Sequence, residues 1–96
     1  MARIRTHPGE VLRAEYLEPL SLTARGLAEE IGVPGNRLSE IIRERRSVTA
    51  DTAIRLGRYF GTDARFWLNL QTAFDLSKAE ADHDYSSVHT RSEQAA

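Results

Sequence analysis

Apolar residues recur along the chain at spacings of three and four, and polar runs interrupt them at short intervals, so the pattern is helical throughout. The stretch that organises the rest is residues 23–46, TARGLAEEIGVPGNRLSEIIRERR. Leu27, Ala28 and Ile31 form one apolar stripe on a short helix over about residues 24–31, and Thr23 stands where a capping oxygen is wanted. Gly32 can adopt the left-handed conformation that closes a helix, and Val33 follows as a buried anchor. A second helix is expected from near Pro34 to about Arg43, because proline is tolerated where no N–H is needed. Its inward face is Leu38, Ile41 and Ile42; its outer face carries Asn36, Arg37, Ser39, Glu40 and Arg43.

Three further helices flank this pair. His7-Pro8-Gly9-Glu10 reads as a helix start, with Pro8 at the first position and Glu10 able to reach back to the capping backbone. That helix runs to about Leu17, presents Val11, Leu12, Tyr16 and Leu17, and is ended by Pro19. No partner base or nucleophile lies near His7, so its expected role is structural. Thr49 is placed to cap a helix over about residues 50–60, with Ala53, Leu56, Tyr59 and Phe60 inward and Gly61 as its stop. A fifth helix is expected from Asp63 to about Ala81, the Asp63 carboxylate suiting the positive helix end. Phe66, Trp67, Leu70, Ala73, Phe74 and Leu76 make its apolar stripe wider than one core-facing seam needs. The excess predicts a two-fold dimer interface on Phe66, Trp67, Leu70 and Phe74; the competing reading has Trp67 and Phe74 plugging the core.

The fold class is therefore all-α: five helices in one domain over residues 7–81, preceded by a basic arm (1–6) and followed by an acidic, polar tail (82–96). Ninety-six residues leave no room for a second core. The arm, with Arg3 and Arg5, either touches phosphate or frays. The tail lacks periodicity and is expected to be disordered alone, with Tyr85 and Val88 as anchors if it folds onto a partner. Asp82, His83 and Asp84 mimic a metal site, but neighbouring side chains in a flexible tail do not converge, so no metal or other cofactor is expected. No cysteine, no secretory leader and no long apolar run fit a cytoplasmic protein with no membrane contact.

Two helices joined by a glycine turn, the second polar on its outside, read as a helix-turn-helix, whose second helix enters the DNA major groove. An ordinary helical hairpin with a solvated face has the same local pattern. The net charge of −1 is unhelpful to a nucleic-acid binder, but its distribution matters more. Residues 1–74 hold eleven arginines against nine acids, whereas residues 75–96 hold two cations against five acids. All eleven body cations are arginine, which suits bidentate phosphate and guanine contacts better than lysine. Arg45 and Arg46 leave the second helix in a loop, within reach of backbone phosphates or of Glu44 and Asp51. No nucleophile–base pairing, phosphate-cradling glycine loop or metal-ligand spacing points to an enzyme.

His7-Pro8-Gly9-Glu10, the central hairpin, residues 49–56 (TADTAIRL), Phe66-Trp67-Leu68-Asn69-Leu70-Gln71 and Asp75-Leu76 together resemble the HigA family of addiction-module antitoxins, within the phage-repressor-like helix-turn-helix superfamily. The likeness covers about residues 7–76. It implies a homodimer that binds double-stranded, palindromic operator DNA and represses its own operon. It also implies a second partner, a small ribonuclease toxin that the antitoxin binds and neutralises. On that basis the recognition helix is Gly35 to Arg43, with Asn36, Arg37, Glu40 and Arg43 as base contacts and Thr23, Arg25, Arg45 and Arg46 as phosphate contacts. Glu40 could instead orient Arg37 or Arg43. Many relatives in the superfamily cap this helix with Ser or Thr; Pro34-Gly35 stands there in this chain, which leaves fewer side chains to read bases. Two alternatives keep the fold: a stand-alone transcriptional repressor, and a protein-interaction module without DNA binding.

Overall fold

The computed structural model describes residues 3–91; Met1 and Ala2 of the expected arm and residues 92–96 of the expected tail lie outside the described residues. Helix α1 (Pro8–Val11) starts at His7, whose Nδ1 accepts the Gly9 amide at 2.9 Å. The imidazole is buried and lies edge-on to Phe74, with ring centroids 4.7 Å apart. Burial pushes the His7 pKa below its usual 6.5, and the carboxylates of Glu44 and Asp75 pull it only partly back. The unfolded chain therefore takes up a proton more readily than the folded one, so stability is full above pH 6.5 and falls as pH drops below it. We expect the melting temperature to drop between pH 7 and pH 5, and His7→Asn, which keeps a capping oxygen without a titrating ring, to flatten that drop. An equal pH dependence in the variant would assign it to other groups.

Helix α1 runs without a break into a π-helical segment, Leu12–Leu17, in which hydrogen bonds span five residues. The Glu18 amide donates to the Arg13 carbonyl at 3.0 Å, and the Leu22 amide to the Leu17 carbonyl at 2.9 Å. The expected end near Leu17 holds, but the helix type differs: Val11, Leu12, Tyr16 and Leu17 recur at intervals of four and five, a spacing that α-helical and π-helical winding both accommodate.

Helices α2 (Ala24–Ile31) and α3 (Gly35–Ile42) follow the expected boundaries. The Thr23 hydroxyl accepts the Gly26 amide at 2.9 Å and starts α2. Gly32, at φ 75°, ends it, and the Val33 amide closes back on the Ala28 carbonyl at 3.0 Å. Leu27, Ala28, Leu38 and Ile41 are buried between the two helices and the rest of the core. Gly9 lies flat against the backbone of α3: a β-carbon there would stand 1.9 Å from the Ile41 carbonyl oxygen.

Helix α4 (Ala50–Phe60) buries Ala53 and Leu56 as expected. Two expectations fail here. Thr49 holds the N-cap position, but its side chain makes no capping bond. Tyr59 is 41% exposed rather than inward, since the face next to Leu56 and Phe60 already fills the space under the helix.

Helix α5 (Ala64–Asp82) is capped by Asp63, whose carboxylate accepts the Arg65 amide at 2.9 Å. It packs on α4 and α1. Trp67, expected on a dimer face, is fully buried inside the protomer, among Tyr16, Phe66 and Phe60, with its Nε1–H donating to the Thr62 hydroxyl at 2.9 Å. The surface left on α5 comes from Phe66, 37% exposed, Leu76, 60% exposed, and the partly exposed Leu70 and Phe74. The described part of the arm does not hang free: the Arg5 amide donates to Ser77 Oγ of α5 at 2.8 Å. Residues 83–91 hold no helix or strand, only short turns such as that closed by Asp84 and Ser86.

Candidate nucleic-acid interface

Helix α3 stands as a ridge between two hollows. One, of about 470 Å³, is lined by Arg25, Glu29, Val33, Gly35, Asn36 and Ser39. The other, of about 310 Å³, is lined by Arg37, Arg46, Ser47, Thr49, Asp51 and Thr52. Gly35 contributes to the first because nothing lies within 4 Å of where its β-carbon would be. Asn36 and Arg43 are exposed on the ridge, and Glu40 is partly so. Of the four residues expected to read bases, Asn36, Glu40 and Arg43 fall on one strip of α3, whereas Arg37 lies to its side in the second hollow, only 26% exposed. Of those expected on phosphate, Arg45 and Arg46 stand in the loop that follows α3, and Thr23 and Arg25 at the start of α2.

Ion pairs divide these cations into two groups. Arg46 is held by Glu40, whose Oε1 accepts Nη2 at 2.6 Å and Nε at 2.8 Å. Glu40 therefore orients Arg46, not Arg37 or Arg43, because the loop folds back alongside the helix. Arg37 is held by Asp51 of α4, Nη1 to Oδ2, at 2.8 Å. No ion pair among the described residues engages Arg25, Arg43 or Arg45. Thr23 spends an oxygen lone pair on its cap and keeps a hydroxyl hydrogen to donate.

The loop that carries Arg45 and Arg46 is fixed at both ends. At its start Glu44 adopts φ 63°, and the Arg45 amide returns to the Glu40 carbonyl at 2.9 Å, closing α3 with a left-handed non-glycine residue. At its end the buried Val48 amide donates to Gln71 Oε1 of α5 at 2.8 Å. In the sequence Gln71 stands only as the end of the run 66–71, with no role of its own. A glutamine on the apolar stripe of α5 is the available signal, since a buried amide there must find partners. Its other end donates to Asp75 at 2.9 Å.

Residues 14–67, more than half the chain, match the helix-turn-helix family HTH_3. The chain is 59% identical over 76 residues to virulence-associated protein I of Dichelobacter nodosus, covering 79% of this chain and 70% of that one. It superposes with a TM-score of 0.79, at 46% identity, on the antitoxin HigA of Pseudomonas aeruginosa solved with the higBA promoter, covering 82% of this chain and 85% of that one. The chain belongs to the HigA family. A further structure, antitoxin GraA in complex with its operator, superposes with a TM-score of 0.87 at 41% identity, covering 95% of this chain and 94% of that one. The likeness to solved antitoxins thus extends beyond the helix-turn-helix match over residues 14–67. No helix among the described residues is long and apolar enough to cross a membrane.

Proposed function

We propose that this chain is the antitoxin of a type II toxin–antitoxin pair, which represses its own operon by binding palindromic operator DNA as a dimer and neutralises a small ribonuclease toxin in the cytoplasm. The observation that carries the reading is the fit of almost the whole chain to relatives solved on promoter or operator DNA. The α3 face supports it with chemistry: Asn36 suits adenine, Arg37 and Arg43 suit guanine, and Arg25, Arg45 and Arg46 suit phosphate. The exposed side of α5, on Phe66, Leu70 and Phe74, is the surface proposed for the dimer, which would set the two α3 helices about 34–36 Å apart, one duplex turn. Trp67 supports that surface only from beneath.

The test is binding of the full chain to the DNA upstream of its own gene, titrated across salt, together with co-purification of the product of a neighbouring small reading frame and inhibition of its messenger-RNA cleavage. Sequence-selective affinity should fall steeply with salt, because phosphate contacts release counterions. Arg37→Ala should lower discrimination at one base-pair position of each half-site by on the order of tenfold to a hundredfold. Arg46→Ala should weaken binding to every sequence alike and reduce the salt slope by about 1. Weak, unselective binding by the unmutated chain would sink the repressor reading; failure to bind the neighbouring product would sink the antitoxin reading.

A further inference from the structure

This inference rests on α3 being the recognition helix. Arg37 is the most enclosed of the three side chains in a four-part chain of polar contacts: it is 26% exposed, against 56% for Asp51 and 42% for Arg55. One carboxylate oxygen, Asp51 Oδ2, accepts from Arg37 Nη1 at 2.8 Å and from Arg55 Nε at 3.1 Å. Arg55 in turn donates through Nη1 to the carbonyls of Ile31 at 2.8 Å and Gly32 at 3.3 Å. Those carbonyls are the negative end of α2, where a guanidinium is favoured by both hydrogen bonding and the helix dipole. The chain therefore runs from the turn of the helix-turn-helix, through α4, to a side chain on the recognition helix.

Each link leaves the next one usable. Arg37 spends a single Nη1 hydrogen on Asp51, so its other Nη1 hydrogen, Nη2 and Nε stay available for a fork-shaped contact. Asp51 is flanked by two guanidiniums and so remains ionised, its pKa held below the usual carboxylate value by the hydrogen bonds from Arg37 and then Arg55. The carboxylate reaches α3 from another helix, so it fixes where the guanidinium points independently of the α3 backbone. The geometry points to Asp51 as a positioning residue for base selection: it acts through Arg37, which it aims, and Arg55 anchors it to the end of α2.

The test uses the full chain and its own upstream duplex, with each base pair of one half-site permuted in turn. Asp51→Asn keeps the shape and removes the charge. It should lower discrimination about five- to tenfold at the position that Arg37→Ala identifies, and at no other. Affinity for unrelated DNA should stay level or rise, because a negative charge has left the phosphate side; a merely structural defect would lower both together. In the Arg37→Ala background, Asp51→Asn should change selectivity no further, because its effect passes through Arg37. Thermal unfolding of each variant checks that the domain is intact. Unchanged selectivity in Asp51→Asn, or the same loss with and without Arg37, overturns this role while leaving the repressor reading standing. Absence of selectivity in the unmutated chain overturns both.

Discussion

Gly9→Ala is expected to lower the melting temperature by on the order of 10–20 °C. The added methyl would sit 1.9 Å from the Ile41 carbonyl oxygen, 2.8 Å from the Ile41 carbonyl carbon and 3.0 Å from the Ile42 α-carbon. All three are backbone atoms of α3, so no rotamer change relieves the clash. The first helix and α3 must separate by an ångström or more, which opens the core around Leu12, Leu38 and Ile41. Overpacking of a tight interior costs about 1–3 kcal/mol and more where the obstacle cannot move. In a domain of this size each kilocalorie corresponds to about 4–8 °C. Because α3 is the helix displaced, operator affinity should fall with stability. Circular dichroism melting reads the first effect directly; a melting point within a few degrees of the unmutated chain would disprove the close approach.

Trp67→Ala should cost about 3–5 kcal/mol, the range for emptying a fully buried large aromatic site. That is a large share of the roughly 5–15 kcal/mol that stabilises a typical domain. Trp67 is 0% exposed and fills the centre of an aromatic group with Tyr16, Phe60 and Phe66. Its removal also leaves the Thr62 hydroxyl without the indole donor. The signature separates this role from a direct interface role: the melting temperature should drop at every protein concentration. A sedimentation shift from dimer to monomer with unchanged melting would return Trp67 to the interface.

The helix-turn-helix was readable because its signals are local. Thr23, Gly32 and the stripes of α2 and α3 each act within four residues of themselves, and the structure keeps them. What escaped the sequence depends on distant neighbours. Periodicity marked Trp67 as apolar but could not say that Tyr16 and Phe60 would cover it. Tyr59 belonged to the apolar pattern of α4 and yet faces outward, because its neighbours fill the space beneath. Gly9 was legible as part of a helix start; its contact lies thirty-two residues away on α3, and no local rule asks for it. The same holds at the candidate interface. The arginines were visible as a set, but their division into those held by Asp51 or Glu40 and those in no ion pair among the described residues needed the fold.

The wide turn at Leu12–Leu17 has a geometric consequence for the whole N-terminal segment. A hydrogen bond spanning five residues instead of four accommodates one residue more than a regular helix would. In an α-helix one residue is about 100° of rotation. That extra residue therefore enters the angular phase between the two ends of the first helix, which carry the buried Leu17 at one end and Gly9, against the α3 backbone, at the other. Regular α-helical winding throughout would turn Leu17 to a different angle relative to Gly9, whose close approach to the Ile41 and Ile42 backbone holds the first helix against α3.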